Sequence, residues 1–249
     1  MATATTENPT GFALQSNTRQ IAATAAVVVA VIGVASFVMS RNDSKSEAAR
    51  SALFLAEKSL ETETKALTPA PPAPAPVTKD AKGKEAKAPP PAPVEDVTFK
   101  RLDVDAKFPD SIKKLNGVIA DFAGTRSAFD ARMQLGELYF NHGEATKALP
   151  VFQAAVENAP NALEKSLALS AVASTLENQS QFKEAREAYE KAINLGEASV
   201  KGDLLLGVAR TSVSLKDTAK AKQTYDQILT QLPNTETSRN AEALKAQLE

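Results

Sequence analysis

The feature that most constrains this chain is the stretch over residues 135–160, LGELYFNHGEATKALPVFQAAVENAP, which carries packing residues at helical spacing. Leu135, Gly136 and Tyr139 would share one face of a first helix, because residues three and four apart lie on the same side of a helix. Gly143 would open the turn that follows. The stretch therefore predicts the first half of a helical hairpin.

The second helix of the hairpin would turn small and aromatic residues toward the first helix. Ala148, Phe152 and Ala155 recur at steps of three and four, and Pro160 would end the helix. The small residues Gly136 and Ala148 would let the two helices approach closely, while aromatic rings fill the volume beside them. Because one hairpin cannot bury its own apolar face, the pattern predicts neighbours of the same kind.

The same pattern returns at offsets of 37 and then 36 residues. Across the three copies the predicted packing positions are Leu135, Gly136, Tyr139, Ala148, Phe152, Ala155, Ala173, Ala185, Tyr189, Ala192, Ala209, Ala221 and Tyr225. A backward offset of 37 reaches DSIKKLNGVIADFAGT, which would be the second helix of a degenerate leading hairpin. Residues 95–109 before it fit either a strand or a poorly formed first helix of that hairpin.

This pattern resembles the tetratricopeptide repeat (TPR). The resemblance implies an all-α fold, a solenoid of about three repeats over residues 98–249 with a capping helix over residues 238–249. Since the spacings exceed the usual repeat of about 34 residues, the joints at residues 161–165 and 196–202 are expected to be longer than is typical.

In a TPR array the first helices line a groove, so the pattern also predicts a peptide-binding surface. Carried over position by position, the groove residues are Asp130, Met133, Glu137, Asn141, Ser170, Ser174, Glu177, Asn178, Arg210 and Ser214, together with Phe140, Leu167, Asp203, Leu206 and Val213. TPR grooves that clamp a carboxylate need converging Lys, Arg and Asn side chains, whereas this one offers Met133 and Glu137. It suits an extended or helical peptide, or an unfolded chain. Alternatively, the chain's own helix over residues 46–67 fills it.

The N-terminal part has a different character. Residues 1–20 are polar and are predicted to be a disordered tail, and residues 21–39 carry no charge, which predicts a transmembrane helix over residues 21–40. A cleaved signal peptide and a buried core helix are the alternatives. Arg41, Lys45 and Arg50 follow the apolar segment while only Arg19 precedes it, so the charge rule alone would place the C-terminal part in the cytoplasm.

Two further segments separate the predicted span from the repeats. Residues 44–67 form an amphipathic pattern with an apolar seam, which could pack on a partner helix or on the repeats, or could stay solvated. The seam is Ala49, Leu53, Ala56, Leu60 and Leu67. Residues 68–97 are rich in Pro, Ala and Lys and are predicted to be a disordered linker, although a Pro-rich ligand for a recognition domain is an alternative.

No set of residues in the sequence points to catalysis. There is no cysteine, and the one histidine, His142, falls in a predicted turn, where a solvated loop residue is expected. The chain lacks a Gly-rich phosphate loop, and its net charge of −1 gives no basic surface for nucleic acid. The sequence therefore predicts a binding protein that is not an enzyme and uses no metal or cofactor.

The chain resembles the YfgM-like family of bacterial single-pass TPR proteins. The features that carry the resemblance are the short polar N-terminus, the apolar segment, SEAARSALFLAEKSL and ADFAGTRSAFDARMQLGELYFNHGEATKAL. The resemblance implies an inner-membrane anchor with the repeats in the periplasm, near the Sec translocon and periplasmic chaperones, and we follow it over the charge count. It favours a translocon-associated or chaperone-like adaptor. The alternative is a structural scaffold or assembly factor for one fixed envelope complex, in cell-wall or outer-membrane coordination.

Overall fold

The computed structural model describes residues 43–68 and 101–248, and every regular element within these two ranges is a helix. The helices are α1 (residues 43–67), α2 (Val104–Lys107), α3 (Pro109–Asp121), α4 (Arg126–Asn141), α5 (Ala145–Glu157), α6 (Ala162–Asn178), α7 (Phe182–Ile193), α8 (Lys201–Ser214), α9 (Thr218–Gln231) and α10 (Glu236–Ala246). The predicted tail over residues 1–20, the predicted span over 21–40 and nearly all of the predicted linker lie outside the described residues. In the two described ranges, no helix is both long and apolar enough to cross a membrane.

Polar side chains fix where several helices begin. Thr125 accepts a hydrogen bond from the amide of Ala128 at the start of α4, and Asn161 accepts one from Glu164 at the start of α6. Thr235 and Ser238 form a reciprocal capping box at the start of α10. These caps satisfy amides that have no partner inside the helix, so each helix begins at a defined residue.

The turns inside the three hairpins share one backbone conformation. Gly143, Ser180 and Lys216 have φ values of 83°, 62° and 60°, and they stand at the repeat spacing. This left-handed region costs a glycine little and other residues more. The hairpins α4–α5, α6–α7 and α8–α9 therefore turn in the same way although only the first uses glycine.

The hairpins pack in chain order, and all thirteen predicted packing positions are buried. The closest approach is at Gly136, where an added Cβ would lie only 2.5 Å from Cε1 of Phe152. A similar approach joins neighbouring repeats at Gly207, where an added Cβ would lie 2.6 Å from Cζ of Tyr189. The second glycine was not among the predicted packing positions. Close packing in this array therefore depends on two glycines that face aromatic rings.

Both joints between hairpins lie a few residues earlier in the chain than predicted, and the first is also short. Residues 162–165 are the first turn of α6, since the Asn161 cap starts that helix, and the joint is residues 158–161. The next joint, between Ile193 and Lys201, is longer. The ambiguous residues before α3 include the single-turn helix α2, and residues 101–103 form no strand.

From Ala49 onward, helix α1 belongs to the same compact unit as the repeats. Ala49 and Ala56 are fully buried, and Leu53, Leu60 and Leu67 pack against the main core. The apolar seam of this helix therefore contacts the repeats. It is neither a separate segment nor a solvated helix.

Hydrogen bonds show which helices α1 contacts. Glu63 accepts bonds from the amides of Asp110 (3.0 Å) and Ser111 (3.1 Å) and from the Ser111 hydroxyl, all at the start of α3. On the other side, Gln134 of α4 donates to Oε1 of Glu57 at 2.6 Å. Because α1 contacts both α3 and α4, it takes the place of the first helix in the leading hairpin, and the single turn of α2 does not fill that place.

Glu63→Ala is expected to loosen α1 and to lower the free energy of unfolding by about 1 to 2 kcal/mol. The N-cap residue of α3, Phe108, makes no side-chain capping bond, so the Glu63 carboxylate supplies the acceptor for the first amides of that helix. Hydrogen exchange of the α1 and α3 amides would measure the change. Glu61→Ala is the matched control, since Glu61 pairs with Lys58 and Lys65 of its own helix. Equal exchange in both variants would contradict the role given to Glu63.

Candidate peptide-binding surface

The predicted groove residues lie on the exposed sides of α4, α6 and α8, which we call the first-helix face. None of the ten is buried: each is half-buried or exposed, as a surface for a ligand requires. They are Asp130, Met133, Glu137 and Asn141 on α4, Ser170, Ser174, Glu177 and Asn178 on α6, and Arg210 and Ser214 on α8.

A polar network joins α6 to α8 on this face. Arg210 donates from Nε to Oε1 of Glu177 (2.5 Å) and from Nη2 to Oε2 (2.8 Å). The hydroxyl of Tyr189 lies 3.2 Å from Oε2 of Glu177 and 3.0 Å from Oγ of Ser174. The Glu177 carboxylate raises the pKa of the Arg210 guanidinium, and burial raises the pKa of Tyr189. Three predicted groove residues thus bond to one another or to Tyr189, and hold adjacent repeats together.

The α4 part of the face is acidic. Asp130 lies 3.7 Å from Nε of Arg126, and its pKa is nevertheless raised, first because the carboxyl is partly buried. Arg126 also pairs with Glu164, which is 1% exposed. The pKa of Glu137 is raised as well, because neighbouring protein takes the place of water around a side chain that still reaches solvent.

Apolar side chains are exposed on the same face. Leu167 of α6 and Val213 of α8 are each 40% exposed, at positions that the repeat pattern assigned to the groove. Most large apolar residues in the described ranges are more deeply buried than these two. The face therefore combines uncovered apolar area with carboxylates, a combination that suits an apolar segment with positive charge.

Helix α1 adds a pocket that the repeat pattern did not predict. It has a volume of about 140 Å³. It is lined by Leu60 and Thr64 of α1 and by Gln134, Glu137, Leu138, Asn141 and His142. Two predicted groove residues, Glu137 and Asn141, thus lie beside the chain's own helix. Because α1 stands next to α4, it extends the face by one helix and leaves the exposed positions of α6 and α8 open.

The expectation that His142 is a solvated loop residue is wrong. It is 5% exposed, and its ring centroid lies 5.2 Å from that of Phe108. The turn after α4 is covered because the chain before α3 packs over it. The repeat spacing alone could not show this contact, since Phe108 lies outside the hairpin that contains His142.

The described residues contain no group of His, Asp and Glu side chains that could hold a metal ion. What the first-helix face offers is hydrogen-bond acceptors, exposed aliphatic carbon and a small pocket. These features match the recognition of a polypeptide segment, in which apolar contacts supply affinity and a few polar groups fix orientation.

Comparison with known proteins places family matches on these same helices. Three family models, each described as a tetratricopeptide repeat, match residues 104–162, 167–197 and 203–235. No curated protein matches the chain. Two crystal structures of the nearly identical TPR-like repeats of a putative kinesin light chain from Podosopora anserina are similar to this chain. Each is 14% identical to it in sequence. Each comparison covers 58% of this chain and 78% of that one, with a TM-score of 0.47.

Proposed function

The chain is a tetratricopeptide-repeat protein and hence a protein–protein interaction module, and from that premise we propose that its first-helix face binds segments of other polypeptides as a membrane-anchored adaptor. The observation that carries this proposal is the exposure of Leu167 and Val213 on a face that also bears carboxylates. Uncovered apolar side chains in the groove of a repeat array are positioned to bind a partner.

The finer parts of the proposal rest on the sequence. The uncharged segment over residues 21–39 supports an anchor in the bacterial inner membrane, and the likeness to YfgM-like proteins supports a periplasmic location. An adaptor there would hold emerging envelope proteins near the Sec translocon or pass them to periplasmic chaperones. Because the matched tetratricopeptide repeats are binding modules, we propose holding and transfer without chemistry.

A structural scaffold for one fixed envelope complex is the alternative, and the network of Glu177, Arg210 and Tyr189 favours it. That network holds α6 against α8, and a rigid face suits one partner of defined shape. The exposed positions of Leu167 and Val213 favour the adaptor, because apolar contacts accept many sequences.

Photo-crosslinking in cells tests the binding face and separates the two functions. A photoreactive residue at Leu167 is expected to capture partners, whereas one at Gln153, exposed on α5, is the matched control. Many captured chains together with translocon subunits would support the adaptor, and one stoichiometric partner would support the scaffold. Equal capture from both positions would contradict the assignment of the first-helix face.

Leu167→Asp with Val213→Asp is expected to abolish most of that capture and to change the free energy of unfolding by no more than about 1 kcal/mol, because both side chains are partly exposed. A photoreactive residue at Met133 would report capture, and circular dichroism would report helicity. Loss of helicity in the double variant would show that these residues are structural.

A topology reporter fused after Glu249 tests the location. We expect a reporter that works only outside the cytoplasm to be active, because the family resemblance places the repeats in the periplasm. Activity of a cytoplasmic reporter in its place would contradict the periplasmic proposal and agree with the charge count around the apolar segment.

A further inference from the structure

The pocket between α1 and α4 contains a carboxylate without a cation. Glu137 lines the pocket and reaches solvent, and among the residues of the described ranges no side chain pairs with it or donates a hydrogen bond to it. Burial is the one cause of its raised pKa, and no nearby positive charge opposes that effect. A partly desolvated carboxylate in this state gains free energy when a cation binds to it.

Two other carboxylates of the first-helix face, Glu177 and Asp130, already have partners. Glu177 receives two hydrogen bonds from Arg210, and Asp130 lies 3.7 Å from Arg126. A larger pocket of about 270 Å³ among α7, α8 and α9 also contains a balanced pair, since Lys220 lies 3.2 Å from Glu190. Glu137 therefore differs from these groups in facing a pocket with its charge uncompensated.

The walls of the pocket beside Glu137 are largely apolar. Leu138 is 7% exposed and forms one wall, and Leu60 from α1 packs against the same core. The volume of about 140 Å³ is that of a few water molecules, each of which occupies about 30 Å³ in the liquid. A space of this size accepts one side chain, with aliphatic carbon against the leucines and a polar end at the solvent side.

Lysine and arginine have this form. Their aliphatic stems pack along apolar surface while the charged end stays near water, and their charged ends donate hydrogen bonds without accepting any. A neutral amide or hydroxyl would leave the charge of Glu137 uncompensated, and an acidic side chain would be repelled. The pocket therefore complements a basic side chain in both shape and charge.

We propose that the pocket between α1 and α4 binds a lysine or arginine side chain of the polypeptide held on the first-helix face, with Glu137 accepting its hydrogen bonds. This inference rests on the proposed function, because the basic residue belongs to the bound segment. Leu167 and Val213 contact apolar residues farther along the same segment. The preferred ligand is then a segment with a basic residue near one end followed by apolar residues.

Binding of short peptide pools to the full chain tests the proposal. The pools carry lysine, norleucine or glutamate at one fixed position among mixed apolar and small residues, with both termini capped to remove their charges. Norleucine matches the lysine stem and lacks the ammonium group. Fluorescence anisotropy is expected to show the lysine pool binding about tenfold more tightly than the norleucine pool, as expected for a charged hydrogen bond.

Glu137→Gln is expected to remove the lysine preference, so that the lysine and norleucine pools bind with similar affinity. The matched control is Glu187→Gln, an exposed carboxylate on α7, which should keep the full preference. Equal binding of lysine and norleucine to the unmodified chain would overturn the inference and leave the first-helix face as a binding surface. A preference that persists in Glu137→Gln would overturn it too, and failure of every pool to bind would overturn both proposals.

Discussion

Gly136→Leu is expected to lower the free energy of unfolding by about 3 kcal/mol or more, because the interior has no space for the added side chain. Even a single Cβ at this position would lie 2.5 Å from Cε1 and 2.7 Å from Cδ1 of Phe152. The Phe152 ring is itself 2% exposed, so it has no free space into which it can move. Because each hairpin packs on the next, the loss should spread through the array.

Urea unfolding followed by circular dichroism would measure this loss. Gly117→Ala is the matched control, because Gly117 also lies within a helix and a Cβ there would meet nothing within 4 Å. The control should be neutral or stabilising by about 0.5 to 1 kcal/mol, as alanine favours helix over glycine. If the two variants unfold alike, Gly136 does not mark a close contact between α4 and α5.

Gly207→Ala is expected to lower the free energy of unfolding by about 1 to 3 kcal/mol, although alanine is the better helix former. The new Cβ would lie 2.6 Å from Cζ and 2.7 Å from Cε1 of Tyr189, a buried ring of the preceding hairpin. Here the clash falls between two repeats and forces α8 away from α7. Thermal unfolding should show a separate, earlier loss of structure in α8 to α10.

A second-site change would test the cause of that loss. Tyr189→Leu in the Gly207→Ala background should recover part of the stability, because the smaller side chain leaves space for the new methyl group. Tyr189→Leu alone should be destabilising, since it empties a filled position and removes the hydroxyl that contacts Glu177. Additive losses in the double variant would show that the two positions are not in contact.

These two glycines show what could be predicted from the sequence. Helical spacing predicts the close contact at Gly136, because its partner Phe152 lies in the same hairpin. The repeat offset does not predict the one at Gly207, because it assigns Ala209 to the corresponding position and because the partner Tyr189 belongs to the preceding hairpin. Contacts between repeats depend on the length and path of the joint after Ile193, which periodicity does not determine.

The pocket beside Glu137 was unpredictable for a similar reason. The spacing of Leu60 and its neighbours predicted an amphipathic helix, but an apolar seam does not specify its partner. A long segment separates α1 from α3, so no local pattern relates Glu63 to Ser111 or Leu60 to Leu138. The predicted exposure of Glu137 agreed with its position, whereas the pocket under it depends on contacts across that segment.

The left-handed turns at Gly143, Ser180 and Lys216 imply that the array opens in a preferred order. The first hairpin uses glycine and is closed by α1, while the last uses lysine in a conformation that disfavours side chains. Much of the last hairpin packs in its own small core around Tyr225 and Ile228, apart from the main core. Local opening should therefore begin at the C-terminal end, in the helices that form this small core, and should leave the Glu137 pocket intact.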